Sequence, residues 1–488
     1  MHKLTRMSSK TITVIQLNDL HGYLESHPEL FWSGDHTIFR ESGGLARIAT
    51  LLDEARSRNP GGVIALDNGD TIHGTYPVVE SKGEIMKPIL NRLGFDAWTA
   101  HWDFAYDAPY LKTFARDLDY PLLAINCYNT SDGELTFKPY RIIERHGIRV
   151  AVIGIAATIV DKVMPENFHT GVRLTLGEKE LKKWVKYVRE EEKAQLVIVL
   201  SHLGYPQELK MLSRVKGIDV FLSGHTHNRI REAKKVNGAI IIQSGCHGSF
   251  LGSIDLDISP NGKIKNFKHR LIHVDNTIYK NREVNDLVES ALDSSRDFLS
   301  IVVGKTRSDL HRNLVMECSM DNLLLQALQS YTGADLAFSN GWRYGAPIPK
   351  GSITMNDLWN IIPVNPPLSV CEITGREVWD MMEMNLERTF ARDPYNQMGG
   401  YVKRCMGLNL YFKVENPEGS RINRLFIQGK PYVPDKSYRV CYVTRQGVRP
   451  GFGSNKEDLD IHAIDVLRWY VEESKEVEAP LRNTIVPI

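Results

Sequence analysis

Asp and His recur in five short clusters in the first half of the chain. They are Asn18-Asp19-Leu20-His21-Gly22, Asn68-Gly69-Asp70, Ala100-His101-Trp102-Asp103, Ser201-His202-Leu203-Gly204 and Ser223-Gly224-His225-Thr226-His227. Carboxylates and imidazoles in this mixture are donors for divalent ions such as Mn, Zn, Fe or Co, between which the residue types do not choose; no thiolate is required. Two such ions about 3.5–4 Å apart can clamp the attacking and leaving oxygens of an in-line displacement. That arrangement needs one carboxylate able to bridge, with imidazole and oxygen ligands holding each ion. Asp70 follows Gly69 in a turn, from which its carboxylate can project. Asp19 and His21 are two apart, as are His225 and His227, and at the end of an extended strand such pairs share a face. One His after a strand means little, whereas Asp and His at four strand ends are not explained by packing.

Most of these clusters follow a β-branched, apolar run: residues 12–17, 63–66, 196–200 and 218–222. Such runs read as buried strands, and open α/β sheets build their sites where strands end. Residues 148–156 add another buried strand. Helical patterns cover 43–58, 84–93 and 178–192, so that strand and helix alternate from 11 to 275. Strands at 253–258 and 264–273 are divided by the turn Pro260-Asn261-Gly262. Residues 277–300 are polar with apolar positions at helical spacing. Beyond them come an amphipathic stretch at 322–331, a short strand at 335–339 and the loop Asn340-Gly341-Trp342-Arg343-Tyr344-Gly345.

Composition narrows the class. The chain has 488 residues, 42% of them hydrophobic, enough for sizeable cores in an enzyme of two domains. A formal net charge of +1 argues against general attraction to nucleic-acid polymers or anionic membranes. The charged run at 179–193 is spaced like the wet face of a helix. The six cysteines are far apart and form no CxxC, which suits a reducing compartment; Cys246, close to the last cluster, reads as a small packed residue. No secretory signal is visible at the N-terminus and no apolar run reaches the roughly 18 residues of a membrane span, so the expected location is cytoplasmic.

The clusters resemble the calcineurin-like metallophosphoesterases and, more narrowly, the 5′-nucleotidase superfamily, through Asp19-Leu20-His21-Gly22, Gly69-Asp70, His202 and Gly224-His225-Thr226-His227. The resemblance implies a four-layered α/β/β/α catalytic domain (11–276), a linker helix (277–300) and an α+β C-terminal substrate-binding domain (301–488). It also implies two divalent ions: Asp19, His21 and His227 on one, His202 and His225 on the other, and Asp70 bridging. The third cluster departs from the pattern Gly-Asn-His-Glu. Ala100 stands where a metal-binding Asn is expected, and Asn126, after the apolar run 121–125, is either its replacement or a turn residue. His101 matches a catalytic His acting at the leaving group. The acidic partner expected three residues on is Phe104, so Asp103 or Asp107 would have to orient the ring.

In the second half, Asn340 and Arg343 resemble the family's substrate loop, and Arg312 lies where another Arg is expected. A guanidinium offers a bidentate fork for phosphate or sulfonate oxygens. Of the two aromatic rings that hold a nucleobase in such nucleotidases, Pro363-Val364 replaces the first and Phe452 could supply the second. Two segments, His101-Trp102-Asp103-Phe104 and 390–400, resemble instead the thiosulfohydrolases of bacterial sulfur oxidation. The expected function is therefore a two-metal phosphomonoesterase acting on nucleotides or related small phosphate esters through an activated water. The alternatives are cleavage of a sulfur–sulfonate bond and a non-catalytic ligand-binding relative.

Overall fold

The computed structural model describes residues 10–259, 262–399 and 401–488. Residues 1–9, Pro260 and Asn261 of the expected turn, and Gly400 of the 390–400 segment lie outside the described residues. The chain divides into two compact units. One comprises residues up to His27, Glu41–His73 and Pro77–Asp293; the other comprises Pro28–Arg40, Gly74–Tyr76 and Ser294–Ile488.

The first unit is built on strands β1 (Lys10–Leu17), β2 (Val63–Asp67), β3 (Ala97–Trp98), β4 (Tyr140–Arg145), β5 (Ile148–Ile155), β6 (Leu196–Ser201), β7 (Val220–Leu222), β8 (Lys234–Val236), β9 (Ala239–Ile242), β10 (Phe250–Ile258) and β11 (Ile264–His273). They form two sheets, ordered β11-β10-β1-β2-β3 and β8-β9-β7-β6-β5-β4. The central strands run parallel: β1 with β2, β2 with β3, β5 with β6, β6 with β7 and β7 with β9. Antiparallel strands close the other edges, β3 being a parallel edge strand. Because a strand's side chains alternate between faces, each sheet supplies two packing surfaces. Ile12, Val14, Ile64 and Leu66 of the first sheet pack against Val150, Val152, Leu196, Ile198, Leu200 and Leu222 of the second. The intervening residues of the second sheet, Ala151, Ile153, Val197 and Val199, pack instead on Leu181, Val185, Met211 and Leu212. Those four belong to helices α3 (Glu178–Glu190) and α4 (Tyr205–Arg214), while α1 (Leu45–Arg58) and α2 (Lys87–Leu93) are the helices of the other side. The layers are α/β/β/α.

Local chemistry sets the helix starts. The 43–58 pattern begins its helix only at Leu45, because Gly43 and Gly44 adopt φ of 84° and 101°. The 84–93 pattern splits into a 3₁₀ turn, Glu84–Met86, and α2, which carries Pro88 in its first turn where the missing N–H costs nothing. A hairpin, Ser26–Ser33 with His36–Gly43, lies outside the expected strands.

In the second unit, β12 (Leu336–Ser339), β13 (Pro367–Thr374), β14 (Arg404–Met406), β15 (Ser437–Val443) and β16 (Ser454–His462) form a sheet ordered β14-β12-β15-β13-β16. Its core joins Leu336, Phe338, Ile373 and Val440 to Val378, Met381 and Leu386 of the helix Gly375–Phe390. That helix starts with a capping box between Thr374 and Glu377. Among the described residues, no helix is long and apolar enough to cross a membrane.

Candidate metal centre

Parallel strands bring their C-terminal ends to one edge, and the Asp/His clusters follow from there. The loops after β1 and β2 run side by side: the amides of Asp19, His21 and Gly22 donate to the carbonyls of Gly69, Asp70 and Thr71 at 3.0, 2.6 and 3.0 Å. Gly69 also lets the segment after β3 come close, since a Cβ there would stand 2.4 Å from the Thr99 carbonyl oxygen. Asp19, His21, Asp70, His225 and His227 all adopt left-handed backbone, with φ between 51° and 71°. The 19/21 and 225/227 pairs therefore converge from left-handed loops and not from extended strand ends. Such backbone costs about 1–3 kcal/mol per residue and persists where surrounding structure enforces it, commonly at functional sites.

Two groups of donors result, Asp19, His21, Asp70 and His227 in one and Asp70, His101, His202 and His225 in the other. Within each group, one ligand atom per residue lies within 4.8 Å of all the others. Asp70 is common to both. Its Oδ2 lies 3.4 Å from His21 Nε2, 3.1 Å from His202 Nε2 and 3.3 Å from His101 Nδ1. Asp19 Oδ1 lies 3.1 Å from His227 Nε2 and 3.5 Å from His202 Nε2.

The donor chemistry fits cations. His202 Nδ1 faces the Asn68 carbonyl at 2.6 Å and His21 Nδ1 faces the His73 carbonyl at 3.2 Å, so in the neutral rings these nitrogens carry the protons. The lone pairs of both Nε2 atoms then point at carboxylate oxygens, and His21 Nε2 also faces His227 Nε2 at 3.3 Å. Lone pairs facing one another in a buried site need positive charge between them. The same field acts on each group's acidity. Burial raises the Asp70 carboxyl, but His202, His101 and His21 outweigh it and hold it well below the usual carboxylate range. Burial pushes His21 well below the usual imidazole value. Burial also opposes a charge on His202, but Asp70 and Asp19 prevail and lift it to about 10.

A pH dependence follows. Without ions His202 stays protonated up to about 10, so an ion that takes Nε2 must displace that proton. Metal loading near neutral pH is expected to release about one proton from this ring, and affinity to rise with pH. Calorimetric titrations in buffers of different ionisation enthalpy measure the release; heats independent of the buffer would contradict it.

A frame of buried polar side chains, absent from the sequence-based expectations, holds the loops. Gln16 Nε2 donates to Asn68 Oδ1 and the Ser223 carbonyl, and Asn68 Nδ2 donates to the carbonyls of Ser201 and Leu222, all at 2.8 Å. Asn18 Nδ2 donates to Asp19 Oδ2 and the Gly245 carbonyl. Gln243 binds the Ser223 hydroxyl, the Gly224 carbonyl and the Asn228 amide. Burial raises Glu208 to about 7; it accepts from the Ser223 hydroxyl and the amides of Leu203 and Gly204. The available signal was an amide side chain where a hydrophobic run ends.

Several expected roles are corrected. Asn126 Nδ2 donates to the Ala156 and Thr175 carbonyls and its Oδ1 accepts from the Ala156 amide, contacts that favour the turn-residue alternative for this side chain. Asp103 does not orient the His101 ring. Its carboxylate accepts the amides of Asp70 and His101 on one oxygen and of Thr71 and Ile72 on the other, at 2.9–3.1 Å. Asp107 caps a helix by accepting the Tyr110 amide. In the second unit Arg312 is buried against Asp321, with its remaining nitrogens donating to the carbonyls of Tyr344, Asn360 and Ile361, so its fork is consumed by the fold. Arg343 is half-buried, its guanidinium 5.5 Å from the Tyr401 ring centre, and Asn340 lies 3.4 Å from the Tyr401 hydroxyl. Phe452 packs against the second unit's core.

Residues 12–229 match the family described as calcineurin-like phosphoesterase, and residues 301–444 match the 5′-nucleotidase C-terminal domain. The chain belongs to this two-domain superfamily. It is, in class, a metal-dependent phosphoric ester hydrolase. Protein UshA of Yersinia enterocolitica is 24% identical over 532 residues, covering 96% of this chain and 92% of its own length. A 5′-nucleotidase of Vibrio vulnificus is 23% identical, covering 88% of this chain and 83% of its own. Two solved structures from Thermus thermophilus share the fold. Sulfate thiohydrolase SoxB in complex with glycerol has a TM-score of 0.89 at 23% identity, covering 98% of this chain and 96% of that one. A 5′-nucleotidase precursor has 0.85 at 22%, covering 98% and 99%.

Proposed function

We propose that this phosphoesterase uses two divalent ions to hydrolyse phosphomonoesters, nucleotides or related small phosphate esters. The observation that carries the reading is the pair of donor groups sharing Asp70. Ions held there would supply Lewis acidity toward a water nucleophile and the phosphoryl oxygens, with Mn, Zn, Fe and Co all compatible with the donors. Asp19, His21 and His227 are the proposed holders of one ion, His202 and His225 of the other, and Asp70 the bridge. The carbonyls of Asn68 and His73 favour, for His202 and His21, the neutral tautomer in which Nε2 carries the lone pair. Arg343 and Asn340 are the proposed substrate-binding groups of the second unit. The buried cysteines support the reducing, cytoplasmic setting proposed for this activity.

Nucleotide recognition is expected to be loose, because Val364 stands where a stacking ring would sit and the half-buried Phe452 packs against the second unit's core. The test is initial-rate phosphate release from AMP, other nucleoside monophosphates and small phosphate esters, on chelated protein reloaded with Mn, Zn, Co or Mg. Small esters should turn over faster than AMP, and efficient purine-selective AMP hydrolysis would contradict this. A second reading, hydrolysis of a sulfur–sulfonate bond, is supported by His101-Trp102-Asp103-Phe104. It requires sulfate release from an S-sulfonate where phosphate esters fail.

A further inference from the structure

We propose that His101 binds the second ion directly, instead of delivering a proton to the leaving group. The inference rests on the two-ion reading above and on four features of the first unit.

First, His101 stands in the donor group with Asp70, His202 and His225, at the same spacing that relates Asp19, His21, Asp70 and His227. Its inclusion would give each ion four protein donors, and metals that take five or six ligands would keep positions for water and a phosphoryl oxygen. Second, Asn126, the oxygen donor that the sequence offers in place of the missing Asn at Ala100, has both ends of its amide hydrogen-bonded to backbone. Third, the ring is held among ligands. His101 Nδ1 lies 3.2 Å from Asp70 Oδ1, and its ring centre is 5.1 Å from that of His202 and 4.8 Å from that of His225. Its Nε2 is buried with no hydrogen-bond partner among the described residues. Fourth, a leaving-group acid needs an orienting acceptor of its own, and both acids near His101 in sequence are engaged elsewhere: Asp103 by four backbone amides and Asp107 by the Tyr110 amide. Asp103 acts on His101 through the backbone, fixing its amide and that of Asp70 on the same carboxylate oxygen. This places the ring beside the bridging carboxylate.

The experiment uses the full chain, stripped with chelator and titrated with Co²⁺ by equilibrium dialysis and visible absorption. The wild type should take up two equivalents. His101→Ala should leave the first equivalent unchanged and weaken the second by more than the roughly 10–100-fold that loss of an outer-shell partner costs. His101→Gln, which keeps an oxygen donor, should fall between the two. The first equivalent reports whether each variant is folded. Unchanged second-site affinity in His101→Ala would overturn the ligand role and leave the two-ion reading standing. Fewer than two equivalents on the wild type would overturn both. Should neither variant fold, the ring ¹⁵N shifts of His101 in Zn-loaded wild type decide. A zinc-bound shift at one nitrogen supports the proposal, and shifts unchanged from the ion-free protein overturn it.

Discussion

Replacing Asp70 with Asn is expected to lower turnover by about 10³-fold or more, because several kcal/mol of transition-state charge stabilisation would depend on the two ions proposed to share it. The residue is buried, takes three imidazoles around its carboxylate and belongs to both donor groups. An amide keeps the shape but removes the negative charge that would balance the two proposed dications. Phosphate release and metal content, measured on the same preparation, should fall together. Two tightly bound ions with near-normal turnover would show that Asp70 is not the bridge.

Asp103→Ala is expected to cost about 3–5 kcal/mol of folding stability, a structural effect of a residue that sequence reading placed in catalysis. Its carboxylate gathers four amides from two loops in a fully buried position. Removing it leaves those donors to find water in a closed space. Urea unfolding followed by far-UV circular dichroism measures the loss; a midpoint within the error of wild type would show that the loops hold without it.

The layers and the ends of the parallel strands were legible because a hydrophobic period fixes which residues are strand and a polar interruption fixes where the strand stops. The donor residues themselves were legible for the same reason, Asp and His being improbable at buried strand ends without a task. Their conformation was not. A spacing of two implies a shared face only in extended backbone, and Asp19, His21, His225 and His227 are left-handed. The hairpin Ser26–Ser33/His36–Gly43 was missed although Gly34-Asp35 marks its turn, because much of its second strand is exposed and polar and gives little alternation.

Long-range partners explain the remaining differences. Arg312 carries the fork that would suit phosphate, yet its acceptors are an Asp nine residues away and carbonyls 32–49 residues away. Asn126 looked like a spare oxygen ligand because the strand end near it was short of one, but its amide bridges two backbone segments 30 and 49 residues on. The frame of Gln16, Asn18, Asn68 and Gln243 was invisible for the same reason: several of its contacts join residues more than 100 positions apart. His101 shows the converse, a residue recognised by motif whose neighbours, once assembled, are the proposed ligands.

The central claim is that phosphate-ester hydrolysis requires both donor groups to be filled. The direct measurement is phosphate release from a small phosphomonoester as chelated wild-type protein receives Mn²⁺ in fractions of an equivalent, with bound metal determined at each step. Little activity is expected through the first equivalent, a steep rise across the second and a plateau beyond it. Full activity at one bound ion, or two bound ions with no phosphate released from any ester, would contradict it.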